Sequence, residues 1–441
     1  MNGYSKSLIA FCALALLAGC SSISSVFDED DKPPMEGERI SVLELQESIE
    51  PGDAALEAQG LIAPEPWKNE FWPQAGGYPN HSMQNLDLSG GELKKIWSTD
   101  IGAGSTKQLP LTAQPIVVDG QIYTLDTESQ LTAFDIKTGK QIWRTDVSDP
   151  DEDDPVIGGG IAYAAGVLYV TNGFDEVLAL QPSKGEILWR KSIGSPSRAA
   201  PTILDGRLFV TTLENRILAL NAGDGTLLWD YTGLSETAGL VGAASPAASR
   251  DIVVPAFSSG EITALRVENG VVAWSDNLAG VKRLGGLDGL SDIKALPIID
   301  KGLVVAVSFN GKIAAIDERT GNRIWQREIG SANTPWMAGN HLFVLSTENQ
   351  LVALGRDSGV IRWVTKLLRS DDGDPVIFTG PILAGGRLIL AGTDGRVIEI
   401  NPESGELIRE WSIGNTVAIS PIIAGGVLYI LSENGTLSAY K

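Results

Sequence analysis

The residue types that usually carry chemistry are scarce in this chain. Its 441 residues include 2 cysteines and 2 histidines. Cys12 and Cys20 both lie near the N-terminus, so neither a cysteine-rich zinc site nor a disulfide framework is available. His81 and His341 have no sequence neighbours that would make either one a general base or a metal ligand. The run Asp149-Pro150-Asp151-Glu152-Asp153-Asp154 offers oxygen ligands for a cation, yet a run of like charge is far more often a solvated loop. Gly158-Gly159-Gly160 precedes a strand-like stretch and not a helix, so it is no dinucleotide fingerprint. No phosphate-binding Gly-rich loop ending in Lys-Ser/Thr, no His-Glu-x-x-His and no Gly-x-Ser-x-Gly elbow occurs. We therefore expect no catalytic residues, no metal site and no cofactor. With 34 basic against 55 acidic residues the net charge is −21, which excludes nucleic acid as a natural partner.

Cys20 is the exception. Lys6 precedes an apolar run from Leu8 to Ala18, too short for the roughly 20 residues a membrane-spanning helix needs, and it reads as a signal peptide. The run ends Leu17-Ala18-Gly19-Cys20 before Ser21-Ser22, which resembles a bacterial lipobox. That resemblance implies removal of residues 1–19, acylation of Cys20 and, with Ser21 next, delivery to the outer membrane. Each acyl methylene buried in lipid contributes about 0.8 kcal/mol to anchoring. Residues 20–66 read as an acidic tether, with Asp28 to Pro34 unable to pack a core. Ile40, Val42, Leu43 and Leu45 form a short apolar patch within it.

Residues 67–441 must supply the folded domain, and from Gly91 onward they repeat. Pro201 to Thr212, itself turned at Gly206, Arg216 to Asn221 and Gly225 to Trp229 are strand-like stretches separated by Gly- and Asn-bearing turns. A small residue closes the third run of successive units at Ala133, Ala179, Ala219, Ala264, Ala315, Ala353 and Ala439, with Glu399 in the seventh; the spacing is 38 to 51 residues. Ten residues after the first six come Trp143, Trp189, Trp229, Trp274, Trp325 and Trp363, while Arg409 takes that place after Glu399. Units of this length with four strands each predict an all-β fold, an eight-bladed β-propeller. The eighth unit lacks its fourth run, and Glu92 to Trp97 is expected to supply it by pairing with Thr436 to Tyr440. Trp97 and the six repeating tryptophans are expected to pack between blades, each burying roughly 150–250 Å².

The unit Ala133-Phe134-Asp135-Ile136-Lys137-Thr138-Gly139 through Trp143 resembles the tryptophan-docking repeat of quinoprotein dehydrogenases, and Ala315 through Trp325 matches it equally well. Members of that repeat family that oxidise alcohols use an adjacent cysteine pair and calcium around pyrroloquinoline quinone, and this chain has no such pair. The lipobox with an eight-bladed ring resembles the BamB family, lipoproteins of the outer-membrane β-barrel assembly machine. The opening Trp72 to His81 is similar to extended members of that family.

The resemblance implies a non-enzymatic scaffold, facing the periplasm, that binds the POTRA domains of BamA, the barrel-inserting subunit, within the BAM complex and aids insertion of β-barrel proteins. Nascent outer-membrane proteins are further candidate partners. The alternative is a periplasmic quinone-dependent dehydrogenase or a degenerate cofactor-binding relative. The two longest connections between repeats mix apolar and charged residues, which suits an interface. One carries Leu234, Leu240 and Val241; the other carries Arg283, Leu287, Asp288 and Asp292. The family's Leu-x-Leu-Arg run lacks its arginine here, where Gly239-Leu240-Val241-Gly242 stands.

Overall fold

The computed structural model describes residues 60, 62–152, 154–234, 244–279, 293–309, 311–367 and 376–441; residues 1–59, including Cys20, lie outside it. The described residues form eight four-stranded antiparallel sheets and no helix. Seven sheets follow chain order; blade 1, for example, comprises Ile116–Val118, Gln121–Leu125, Gln130–Asp135 and Gln141–Asp146. Blade 8 takes Ile422–Ala424, Val427–Leu431 and Thr436–Tyr440 from the end of the chain and its outer strand, Lys95–Asp100, from the start. The expected ring closure is present, but the closing strand runs a few residues later than 92–97. Lys94 and Lys441 exchange two backbone hydrogen bonds, and the ladder continues from there to Asp100 opposite Thr436.

A cross-strand row explains the repeating small residue. Tyr123, Ala133 and Trp143 stand side by side on successive strands, with the two ring centroids 5.8 Å apart. Alanine leaves room for the rings to meet above it. Rows Tyr169-Ala179-Trp189, Phe209-Ala219-Trp229, Phe343-Ala353-Trp363 and Tyr429-Ala439-Trp97 repeat the arrangement. The ladder shifts register beside every one of these tryptophans, leaving one unpaired residue such as Ile142 or Leu228. Such a bulge bends and twists an outer strand, which blunts it as a template for edge pairing.

Each tryptophan then docks on the next blade. The ring of Trp274 lies against Gly321, where an added Cβ would meet it at 2.5 Å. Its indole N–H donates to Glu318 O at 2.8 Å. Gly139, Gly185, Gly225, Gly270, Gly359 and Gly405 receive the other six rings, all with positive φ. Only glycine meets both demands, since a side chain is strained at positive φ and would strike the indole. The turn is built by its own residues: Asp317 accepts from the Thr320 N–H and hydroxyl, both at 2.7 Å, and this holds the Asp317 carboxyl below its ordinary range. Trp229, Trp274, Trp325 and Trp363 are buried, whereas Trp97, Trp143 and Trp189 are half-buried. At Trp189 the neighbouring carbonyl, Ala222 O, is taken by the Tyr169 hydroxyl at 3.1 Å.

Blade 7 breaks the rule for a reason of topology. No turn joins the third and outer strands of blade 8, because the outer strand comes from another part of the chain. There is thus no glycine turn for a blade 7 tryptophan. Glu399 and Arg409 replace the Ala–Trp pair in the same register. Glu399 is fully buried, 2.7 Å from Arg387 and 3.0 Å from Arg409, and accepts the Trp411 indole N–H at 3.0 Å. Arg409 donates onward to Gly91 O at 3.0 Å, tying the closing segment to blade 7.

A single segment circles the inner strands. Asn69 bonds Ile423 and Gly425 of blade 8, and Trp72 exchanges two hydrogen bonds with Val117 of blade 1. Pro73 O accepts from Tyr163 of blade 2, Gln74 pairs with Ile203 of blade 3, and Pro79 O accepts from Ala248 of blade 4. Asn80 O accepts from Ile299 of blade 5, Gln84 from Trp336 and Gly339 of blade 6, and Leu86 bridges Leu383 and Gly385 of blade 7. Trp67 then bonds Asn85 and Asp87, which closes the circle. Every inner strand is an edge with unpaired backbone groups facing the axis, and the belt satisfies some of them in each blade.

Three outcomes follow from these contacts. Trp274→Ala costs about 3–5 kcal/mol in urea unfolding, the range for a large buried aromatic. Glu399→Ala costs a similar ~3–5 kcal/mol by leaving buried Arg387 unpaired, and the double variant Glu399→Ala/Arg409→Trp does not recover it, since no glycine turn awaits the indole. His81 sits in the belt with Nδ1 2.7 Å from Pro297 O, and burial lowers its pKa from 6.5 to about 4. The unfolded chain binds a proton there below pH 6.5 while the folded chain does not, so this contribution to stability is lost as pH falls from 6.5 towards 4. His81→Asn, suited to the positive φ of 56°, gives a shallower fall of melting temperature across that window than the parent.

Candidate interaction surface

The antiparallel blades give the ring two unlike ends. First-to-second and third-to-outer turns lie at one end, where Ile136 N–H bonds Gly120 O. The belt crosses this end, reaching the inner strands just before their turns. Ile62 also enters here, its N–H bonded to Asn340 Oδ1 at 2.8 Å in blade 6. Second-to-third turns and the connections between blades lie at the other end, where Val147 N–H bonds Ser129 O. The long connections singled out in the sequence therefore all emerge opposite the belt.

Of the seven residues expected at a partner interface, Leu234 is described. Leu240, Val241, Arg283, Leu287, Asp288 and Asp292 lie outside the described residues. Leu234 is 62% exposed, yet its backbone is held from both sides. Its N–H donates to Glu261 Oε2 at 2.9 Å, and its carbonyl accepts from Asn215 Nδ2 at 2.7 Å. Glu261 and Asn215 are both buried. Glu261 Oε1 also accepts from the Tyr231 hydroxyl at 3.2 Å and the Thr263 hydroxyl at 3.0 Å. Burial, and then the Glu261 charge, raise the Tyr231 pKa, so that phenol stays a donor.

Sequence reasoning missed two apolar residues at this end, Leu213 and Ile377, which are 40% and 68% exposed. Leu213 carried a readable signal: it stands in a second-to-third turn, Thr212 to Asn215, whose counterpart Ser346-Thr347-Glu348-Asn349 is wholly polar. It also missed Asn215 and Glu261, which are ordinary polar residues until the fold places them around Leu234. The seven tryptophans expected to be structural all sit between blades and not on this surface. Asp151 is exposed and Asp149 half-buried, with Asp149 Oδ1 accepting the Asp151 N–H. Among the described residues no group of three or more His, Cys, Asp or Glu side chains is placed to hold a metal ion.

This architecture is that of a tryptophan-docked, eight-bladed β-propeller. The family described as outer membrane protein assembly factor BamB matches residues 149–365 and 371–441, and the chain belongs to that family. Residues 89–165 also match the β-propeller domain of glucose, ethanol and alcohol dehydrogenases. The BamB of Yersinia pestis is 26% identical over 352 residues, covering 78% of this chain and 88% of the relative. That of Escherichia coli is 26% identical over 386 residues, covering 77% and 87%. The crystal structure of BamB from Moraxella catarrhalis superposes with a TM-score of 0.68 at 21% identity, covering 79% of this chain and all of that one. Quinohemoprotein alcohol dehydrogenase from Comamonas testosteroni gives 0.66 at 15% identity, covering 84% and 80%. The last two likenesses speak to the fold alone.

An exposed side chain that is not part of the core leaves stability nearly unchanged when truncated. Leu234→Ala should shift the unfolding free energy by no more than about 0.5 kcal/mol, as surface substitutions do; thermal and urea unfolding beside the parent check this.

Proposed function

We propose that the protein is a non-catalytic scaffold of the outer-membrane protein assembly machinery. In this reading acyl chains on Cys20 hold it to the periplasmic side of the outer membrane. The connections opposite the belt bind the POTRA domains of BamA, the barrel-inserting subunit, and so aid assembly and insertion of β-barrel proteins. One observation carries the reading beyond family membership: Ile62 meets the ring at the belt end, while the described ends of the long connections and the exposed Leu213, Leu234 and Ile377 lie at the opposite end. Anchor and partner surface then do not compete for the same face. A rigid ring with its variation in the loops suits a platform, and an exposed apolar side chain on a held backbone suits a binding anchor.

The test is affinity purification of the full-length, lipidated protein from membranes, with identification of what accompanies it. The barrel-inserting subunit should be recovered in near-equal amount, and Cys20→Ala should move the protein out of the membrane fraction. Recovery of no assembly subunit would overturn the reading. So would saturable binding of pyrroloquinoline quinone with dye reduction, which would mark a dehydrogenase.

A further inference from the structure

Exposure alone does not make Leu234 a good anchor; a side chain on a loose loop loses affinity each time it must be ordered. The residues around it remove that cost. Asn215 lies in blade 3 with a left-handed backbone, φ 55°. Its own Oδ1 is held by the Ser258 N–H at 3.0 Å and the Ser258 hydroxyl at 3.1 Å, which leaves Nδ2 aimed at Leu234 O. Asn215 O also accepts the Gly233 N–H at 2.8 Å. Glu261, from blade 4, takes the Leu234 N–H from the other side. Gly233 is required for this approach, since a Cβ there would meet the Phe257 ring at 2.7 Å and Glu261 Oε2 at 3.0 Å. Both polar groups of the Leu234 peptide backbone are thereby used inside the protein, and only its apolar side chain faces outward. A segment in which the backbone is satisfied internally and the side chain is not has the form of a preorganised apolar contact.

We propose that Asn215 and Glu261 are positioning residues for partner binding: they clamp the Leu234 backbone across the boundary between blades 3 and 4 and present its side chain as a preorganised anchor. The inference rests on the scaffold reading above and names the device by which that surface binds. The occupant is a folded protein domain with an apolar pocket for leucine, which in that reading belongs to the barrel-inserting subunit. Neither Asn215 nor Glu261 touches the partner; both act through Leu234.

A mutant cycle separates this role from a merely structural one. Binding of full-length protein to the purified barrel-inserting subunit is measured for the parent, Leu234→Ala, Asn215→Gly and the double variant, with Phe71→Ala at the belt end as a control. Glycine keeps the left-handed backbone at 215 and removes only the side chain. Leu234→Ala should weaken binding on the order of tenfold, as loss of a central anchor does. Asn215→Gly should weaken it about threefold or more by lowering the fraction of chains with Leu234 in place. In the Leu234→Ala background Asn215→Gly should then have no further effect, because there is nothing left to position. Where Asn215→Gly fails to fold, Asn215→Asp takes its place in the cycle, since it keeps the Ser258 contacts and sets an acceptor against Leu234 O. Equal losses from the position-215 variant with and without Leu234 would overturn the proposal, as would binding by Leu234→Ala equal to that of the parent. In both cases the parent still binds and the scaffold reading stands. A parent that does not bind the subunit would remove both.

Discussion

The constraint on which the ring depends is the seat of an indole on a glycine of the next blade. A sheet of four strands has two faces to cover, and in a propeller only the neighbouring blades can cover them. Trp274 against Gly321 shows the device most fully: a large ring, a backbone with no Cβ, and one indole hydrogen bond to a carbonyl of the same turn. The aspartate and threonine of the repeat serve that turn, and the alanine of the repeat makes room for the ring on its own blade. What looks like a motif in sequence is one contact distributed over two blades. Where the topology withholds the glycine turn, at blade 7, the contact is replaced by a buried carboxylate between two guanidinium groups, which also grips the closing segment.

The belt from Trp67 to Asp87 answers a second requirement. Eight inner strands leave eight rows of backbone groups around the axis, and one segment visits them in ring order. Its cost is a set of buried polar side chains, including Asn69, Gln74 and His81, each bonded to the blades. The belt also gives the ring a direction. The chain enters at the belted end, and the opposite end is left to the connections between blades, which are free to vary without disturbing the docking contacts.

Much of this was readable from residues. The Ala–Trp spacing gave the blade count, and the missing fourth run of the last unit gave the closing partner, though Lys95–Asp100 pairs a few residues beyond the stretch first expected. The exchange of Ala and Trp for Glu399 and Arg409 was visible as an irregularity, but its meaning needed the knowledge that both lie in one register beside Arg387. The belt was not legible, because Asn69 to Leu86 has no period: each residue meets a different blade, so its pattern is set by the ring and not by the segment. The same holds for the clamp on Leu234. Asn215 and Glu261 are far from it in sequence, and only the packing of blade 3 on blade 4 brings them together.

Under the proposed scaffold role, a partner binds the end of the ring that carries the connections between blades and not the belt end. Site-specific photocrosslinking in living cells tests this directly, with the crosslinker placed at position 234 on one end and at position 71 on the other. The account predicts adducts with the barrel-inserting subunit from position 234 and none from position 71. Adducts from position 71 with none from position 234 would contradict it.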